Sequence, residues 1–257
     1  MVRPLGHNDA RAGRDTHAYA GLLDAWEEYY AKSELVLEPD ARLENALTII
    51  EPFRPTLAQL DHLLIVRPDV LKSGGRSGVF LTAVYQLVPE TTIHYTHEQE
   101  WVHYLGHRLT GKHLIIDGVA GHKVGTDLRG QLTINGAVGD EAGAYMLGEL
   151  VNNGNAGPRL GRGMIGRLTN NHLCRYDAAG SMIGVLENYG HMGAGVGLES
   201  IGLVRNRGTI VRTRRRRISW TIPKTDRKRF LKDITNPEGL SYDALHDRLT
   251  TEYGGWE

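Results

Sequence analysis

"NNGNAGPRLGRGMIG" (residues 152–166) places five glycines and three asparagines in fifteen positions. So much glycine disfavours both an ordinary helix and an ordinary strand, because glycine loses the most backbone freedom on ordering. A flexible linker, a phosphate-cradling loop and one turn of a repeat would all share this composition, but only a repeat has register. Aligned at steps of eighteen or nineteen residues, one glycine row reads Gly111, Gly130, Gly148, Gly166, Gly184 and Gly202. A second reads Gly118, Gly136, Gly154, then His172, then Gly190 and Gly208. A third runs Gly106, Gly125, Gly143, Gly161, Gly180, Gly197, and a fourth Gly121, Gly139, Gly157, Arg175, Gly193. Other residue types keep step: Leu132, Leu150, Leu168, Leu186; Met146, Met164, Met182; Val124, Ala142, Leu160, Ala178, Val196; Asn152, Asn170, Asn188, Asn206. The stretch is one coil of a repeat.

A mainly β single-stranded β-helix (solenoid) of about six coils, each eighteen residues long, is therefore expected. Its short parallel strands would stack about 4.8 Å apart. Glycine rows are expected at corners, aliphatic rows inside, and the asparagines in a ladder of amides bonded coil to coil. The left-handed hexapeptide helix of many acyltransferases is disfavoured. Its six-residue phase reads Val124, Gly130, Gly136, Ala142, Gly148, Gly154 here, aliphatic only once in three.

The stretches "LGRGMIG" (160–166), "VGTDLRG" (124–130) and "NGAVGDEAGAYMLG" (135–148) resemble the GXGXG-type β-helix domain. That domain closes the large subunit of glutamate synthase and also makes up one of the subunits of formylmethanofuran dehydrogenase. The resemblance covers about 104–211 and implies a right-handed coil with a structural role, holding catalytic domains or subunits in place. The flanks, 1–103 and 212–257, do not share it. One mid-repeat cysteine, Cys174, does not provide the Cys nucleophile or the flavin and iron–sulfur parts of glutamate synthase.

Composition agrees with a folded chain: 257 residues, 40% hydrophobic, 23% charged, and 32 glycines. No apolar run approaches the roughly 18–20 residues of a membrane span, and the amino-terminal residues lack the apolar stretch of a signal peptide. A cytoplasmic location follows as the expectation. Net charge is zero but uneven. Residues 24–51 carry eight acids against Lys32 and Arg42, whereas 205–232 carry twelve Lys or Arg and one acid, Asp226. Such ends attract each other or an acidic partner.

Three units are expected: a mixed helical and strand cap over 1–103, the solenoid over 104–211, and a basic strand with a carboxy-terminal helix over 212–257. Helical spacing in "THAYAGLLDAWEEYYAK" (16–32) predicts a helix. "DARLENALTII" (40–50) predicts a second helix, capped by Asp40 and stopped by Pro52, and "PTLAQLDHLLIV" (55–66) a third, with Pro55 in its first turn. The β-branched run "GVFLTAVYQLV" (78–88) reads as a strand after a turn at Gly74–Gly75, and "SYDALHDRLT" (241–250) as a last helix capped by Ser241. A helical cap would cover the solenoid's first coil, whose strand edges are otherwise unpaired.

Candidate chemistry is sparse. His103 and His107 stand at i, i+4 among His94, His97, Glu98, Glu100 and His113, yet Gly106 interrupts any helix and no His-Glu-x-x-His motif is present. Turn histidines are the favoured reading, and no metal or cofactor is expected. The glycines carry no Gly-Lys-Ser/Thr and no βαβ unit, so they are not a phosphate loop. Where the repeat lapses, in "NNHLCRYDAAG" (170–180), His172, Arg175 and Asp177 are the candidate functional residues. A corner that needs no glycine is the favoured reading of the lapse. Cys174 shares the inward row of Val138, Ala156 and Met192 and is expected to be buried and inert. Arg214, Arg215, Arg216 and Arg217, followed by Trp220, are candidates for a partner or nucleic acid phosphates, although overall neutrality disfavours a dedicated nucleic-acid binder.

The expected function is a non-catalytic scaffold or assembly module for protein–protein contact or oligomerisation. The alternatives are a subunit of a glutamate synthase-like or formylmethanofuran dehydrogenase-like oxidoreductase complex, and nucleic-acid binding through 205–232.

Overall fold

The computed structural model describes residues 12–33, 38–97, 101–211, 222–236 and 238–254. Four helices come first: α1 (Ala12–Ser33), α2 (Pro39–Ile50), α3 (Leu57–Val66) and α4 (Gly75–Leu87). The solenoid follows, and α5 (Arg227–Asp233) and α6 (Tyr242–Tyr253) close the described chain.

Each coil from Thr110 onward carries one longer and one two-residue strand. The longer strands are β1 (Thr92–Tyr95), β2 (Thr110–Ile116), β4 (Arg129–Ile134), β6 (Leu147–Asn152), β8 (Ile165–Asn170), β10 (Ile183–Asn188) and β12 (Ile201–Asn206). They form a seven-stranded parallel sheet in that order. The short ones, β3 (Val119–Ala120), β5 (Ala137–Val138), β7 (Asn155–Ala156), β9 (Leu173–Cys174), β11 (His191–Met192) and β13 (Thr209–Ile210), form a six-stranded sheet. The register is that of the sequence rows: Leu132 pairs with Leu150, Leu150 with Leu168, and Leu168 with Leu186. The parallel β-solenoid of about six turns is thus observed. It starts upstream of residue 104, because β1 already pairs with β2.

Inside, Val124, Ala142, Leu160, Ala178 and Val196 stack beside Leu128, Met146, Met164 and Met182, all buried. The asparagine ladder is present, buried from Asn152 to Asn188 and exposed at Asn206. Asn152 Nδ2 donates to Asn170 Oδ1 at 2.7 Å, Asn170 Nδ2 to Asn188 Oδ1 at 2.8 Å, and Asn188 Nδ2 to Asn206 Oδ1 at 2.7 Å. A second, exposed ladder was not foreseen: Asn171 donates to Asn153, Asn153 to Asn135, and Asn135 to Asp117 at 2.7 Å.

The first glycine row does not mark corners. Gly130, Gly148, Gly166, Gly184 and Gly202 lie within the long strands, each paired to the next. Close approach is what requires them: a Cβ on Gly166 would stand 2.0 Å from the carbonyl oxygen of Gly148. Gly111 falls out of that column, since a bulge between Thr110 and His113 places Lys112 against Gly130. The third row needs a correction too. Gly106, Gly125, Gly143, Gly161 and Gly197 have φ between 64° and 76°, but the matching left-handed residue in the fourth coil is Ala179 (φ 54°), not Gly180.

The run 78–88, expected as a strand, is helix α4. Ser77 through Tyr85 are all buried, so the helix is apolar on every side and shows no amphipathic period. Phe80 meets Trp26 at 5.0 Å and Tyr29 at 5.6 Å, tying α4 to α1. On its other side Gly78 lies against the backbone of His103, and Thr82 Oγ1 accepts the Gly106 N–H at 2.7 Å. One continuous core joins these helices to Leu105, Leu109 and Leu114, so they cap the first coil.

Two caps differ from expectation. Helix α2 starts at Pro39 with Glu38 at the cap, and Asp40 sits in its first turn. Helix α3 is capped by Thr56 in a reciprocal capping box with Gln59, leaving Pro55 outside. Ser241 caps α6 as expected, its Oγ accepting the Ala244 N–H at 3.3 Å. Phe230, Ile234, Leu245, Leu249 and Tyr253 of the two carboxy-terminal helices and the turn after α5 cover Ile165, Ile183 and Val185 on the outer face of the large sheet. No described helix is long and apolar enough to cross a membrane.

Candidate functional site

The fourth coil places its repeat-breaking residues on the outer surface. A Cβ at Gly154 would lie 1.8 Å from the carbonyl of Gly136, yet His172 carries one at the equivalent position. The small sheet gives way there: β7 and β9 pair only through Ala156 and Cys174, whereas β5–β7 and β9–β11 pair through two residues. The Arg175 N–H still reaches the Ala156 carbonyl, at 3.2 Å, and its side chain is exposed. Asp177 belongs to a left-handed row (φ 57°) with Arg159 and Gly195, and its N–H donates to Ala194 O at 2.8 Å. These three residues share no hydrogen bond or ion pair with one another among the described residues.

They do border an open face. The outward side chains of the small sheet at Asn155, Leu173, His191 and Thr209 are exposed. Large apolar groups stand around them, with Leu173 38%, Tyr176 55% and Tyr189 46% exposed. Arg207 stacks on the Tyr189 ring at 5.8 Å.

Cys174 is buried, and burial pushes its thiol up to about 12. A thiolate is the reactive form, so the folded protein is expected to resist a chromogenic disulfide reagent, releasing one equivalent only on unfolding. Prompt reaction of the native chain would contradict the burial.

The histidines take different partners. His103 Nδ1 accepts the His122 N–H at 2.8 Å, His122 Nδ1 accepts the Asp140 N–H at 2.9 Å, and the two rings stack at 5.0 Å. His107 points elsewhere, to Asp40. No group of three or more His, Cys, Asp or Glu that could hold a metal occurs among the described residues.

Desolvation, then the neighbouring His122, hold the His103 imidazole below its ordinary 6.5. Protonation would also put a hydrogen where Nδ1 now accepts one. A folded value below the unfolded one means this stability is present above 6.5 and lost as pH falls through the folded value. His103→Asn, which keeps an acceptor near Nδ1, is expected to flatten the fall in stability between about pH 7 and 5. Urea melts at both pH values measure it, and an unchanged slope would refute it.

A cleft of about 570 Å³ opens where α2 and α4, the first coils and α6 meet. Its walls include Asp40, Glu44, Arg108, Asp127, Arg129, Tyr242 and Asp243. His107 Nε2 donates to Asp40 Oδ1 at 2.6 Å, and Arg108 Nη1 lies 3.3 Å from Asp40 Oδ2. Asp127, on a left-handed turn residue (φ 57°), has its carboxyl raised, chiefly by desolvation. Tyr242 donates its hydroxyl to Gly163 O and meets Tyr145 edge-on at 6.2 Å. Sequence reasoning missed this cleft, apart from His107.

Arg214 to Arg217 and Trp220 lie outside the described residues, as do Glu98 and Glu100. The ion pairs of the described basic residues in 205–232 go to Glu187, Asp233 and Glu252, not to the acidic stretch 24–51. Comparison with known proteins found no matching family model, no matching curated protein and no matching solved structure.

Proposed function

We propose that the protein is a non-catalytic β-solenoid scaffold, an assembly module that holds another protein surface, or a second copy of itself, against its small-sheet face. The observation that carries this is the asymmetry of covering. The outer face of the large sheet is occupied by α5 and α6, while the small sheet of the fourth and fifth coils exposes Leu173, Tyr176 and Tyr189. Exposed aromatic and aliphatic groups flanked by His172, Arg175 and Arg207 are the ordinary makings of a contact centre with a polar rim. Rigidity supports the same use, because a coil stack with a packed interior presents a fixed surface.

The resemblance of the glycine repeat to the GXGXG-type β-helix supports a structural role, whether alone or as a subunit of an oxidoreductase complex. Nucleic-acid binding through 205–232 has weaker support, since Arg205 and Arg229 are engaged with Glu187 and with Glu252.

Photocrosslinking from positions 173 and 176 in cells tests the proposal. A discrete adduct, either of twice the chain mass or with one recurrent polypeptide, is expected, and Tyr189→Asp should abolish it. No adduct from either position beyond that from Ile65, a more exposed control site, would overturn it.

A further inference from the structure

We propose that the cleft between α2, α4, the first coils and α6 binds a small basic amino acid, with its ammonium groups on Asp127, Glu44 and Asp243 and its carboxylate on Arg129. Charge inventory comes first. Of the six charged residues on its walls, Asp40 and Arg108 neutralise each other at 3.3 Å. Glu44, Asp127 and Asp243 remain against Arg129. Among the described residues none of these three acids has a lysine or arginine within 4.0 Å, and Arg129 has no carboxylate. The surplus is two negative charges with one guanidinium. A ligand with two ammonium groups and one carboxylate sets its ammonium groups among the three acids and its carboxylate on Arg129, whose guanidinium fork suits a carboxylate.

A buried polar atom points the same way. The His107 side chain is 5% exposed, and in the neutral tautomer that donates from Nε2 to Asp40 its Nδ1 presents a lone pair with no hydrogen-bond partner among the described residues. Buried polar atoms are rarely left so. Nδ1 faces Asp127 Oδ2 across 4.0 Å, too long for a hydrogen bond and a separation that one ammonium nitrogen, about 2.9 Å from each, can span. Asp127, whose side chain is 44% exposed, is the partner that can move to admit it. Its carboxyl is partly desolvated, so a cation there replaces missing solvation. Leu43, Leu47 and Leu147 on the walls suit the methylene stem between the two ends. The volume lies within the usual range for small-molecule sites, about 300–1,000 Å³.

Calorimetry and thermal melts of the whole chain test this with L-lysine, cadaverine (no carboxylate) and hexanoate (no ammonium) at matched ionic strength. Lysine is expected to bind at least about tenfold tighter than cadaverine, with hexanoate silent. Arg129→Gln should erase the preference for lysine over cadaverine, and Asp127→Asn should weaken lysine about tenfold or more. Both variants keep the fold testable: Arg129 is exposed, and asparagine accepts the left-handed backbone at 127. Their melting temperatures without ligand provide the check. Lysine giving no heat and no shift beyond sodium chloride would overturn the proposal. So would Asp127→Asn binding lysine as the parent does.

Discussion

Gly166→Ala is expected to destabilise the protein by about 4 kcal/mol or more, and Gly111→Ala by only about 1 kcal/mol, although the sequence places both in one glycine row. The difference lies in what the added methyl meets. At Gly166 it would stand 2.0 Å from the Gly148 carbonyl oxygen and 2.9 Å from its carbon, with φ at 138°. Neither partner can retreat, because Gly148 is held by its own pairing to Gly130, and Gly166 is held from the other side by its pairing to Gly184. At Gly111 the methyl meets nothing within 4 Å, so only the left-handed backbone (φ 69°) opposes it. For a chain of this size the first change corresponds to a melting temperature lower by about 8–16 °C. Thermal melts followed by circular dichroism decide it. A Gly166→Ala protein melting within a few degrees of the parent would mean that the strands are not stacked this closely.

That contrast also shows what could be read from sequence. Period is a property of sequence alone, so the rows, the interior residues and the asparagine ladder were all legible. What each glycine does is not periodic information. Gly130 to Gly202 and Gly106 to Gly197 look alike in sequence, yet one row avoids a clash within strands and the other supplies left-handed turns. The lapse at Gly180 misled for the same reason, since Ala179 takes the left-handed place. Helix α4 was hidden by its burial on all sides, which removes the alternation that marks a helix face. β1 was hidden because its coil precedes the glycine rows. The cleft was illegible for a simpler cause: Asp40 and His107 are 67 residues apart, and α6 joins them only through the packing of its apolar face on the large sheet. The substitution of glycine by His172 was legible as a lapse. Its physical result, a small sheet narrowed to one pair, needed the carbonyl of the neighbouring coil.

Asn170→Ala should cost about 2–5 kcal/mol, and Asn206→Ala less than about 1 kcal/mol. Asn170 is fully buried at the middle of the ladder, accepting from Asn152 at 2.7 Å and donating to Asn188 Oδ1 at 2.8 Å and to His172 O at 3.0 Å. Its removal leaves the Asn188 oxygen without that donor and the Asn152 amide with only the long contact to Leu173 O at 3.3 Å. Two buried polar groups lose partners at once, and each such loss costs about 1–3 kcal/mol. Asn206 is exposed at the far end, where water replaces what the alanine removes. The near end shows the cost already tolerated: the ladder stops against Ile134, and Asn152 Oδ1 has no partner among the described residues. If the ladder acts as a chain, Asn152→Ala and Asn170→Ala will not add. Once Asn152 is gone, Asn170 loses the donor it was serving, so the double variant should be more stable than the sum of the singles predicts by about 1 kcal/mol. Denaturant melts of the four proteins measure that coupling. Strict additivity would mean that the amides stack without bonding, leaving the coils to be held by backbone pairing and the apolar interior alone.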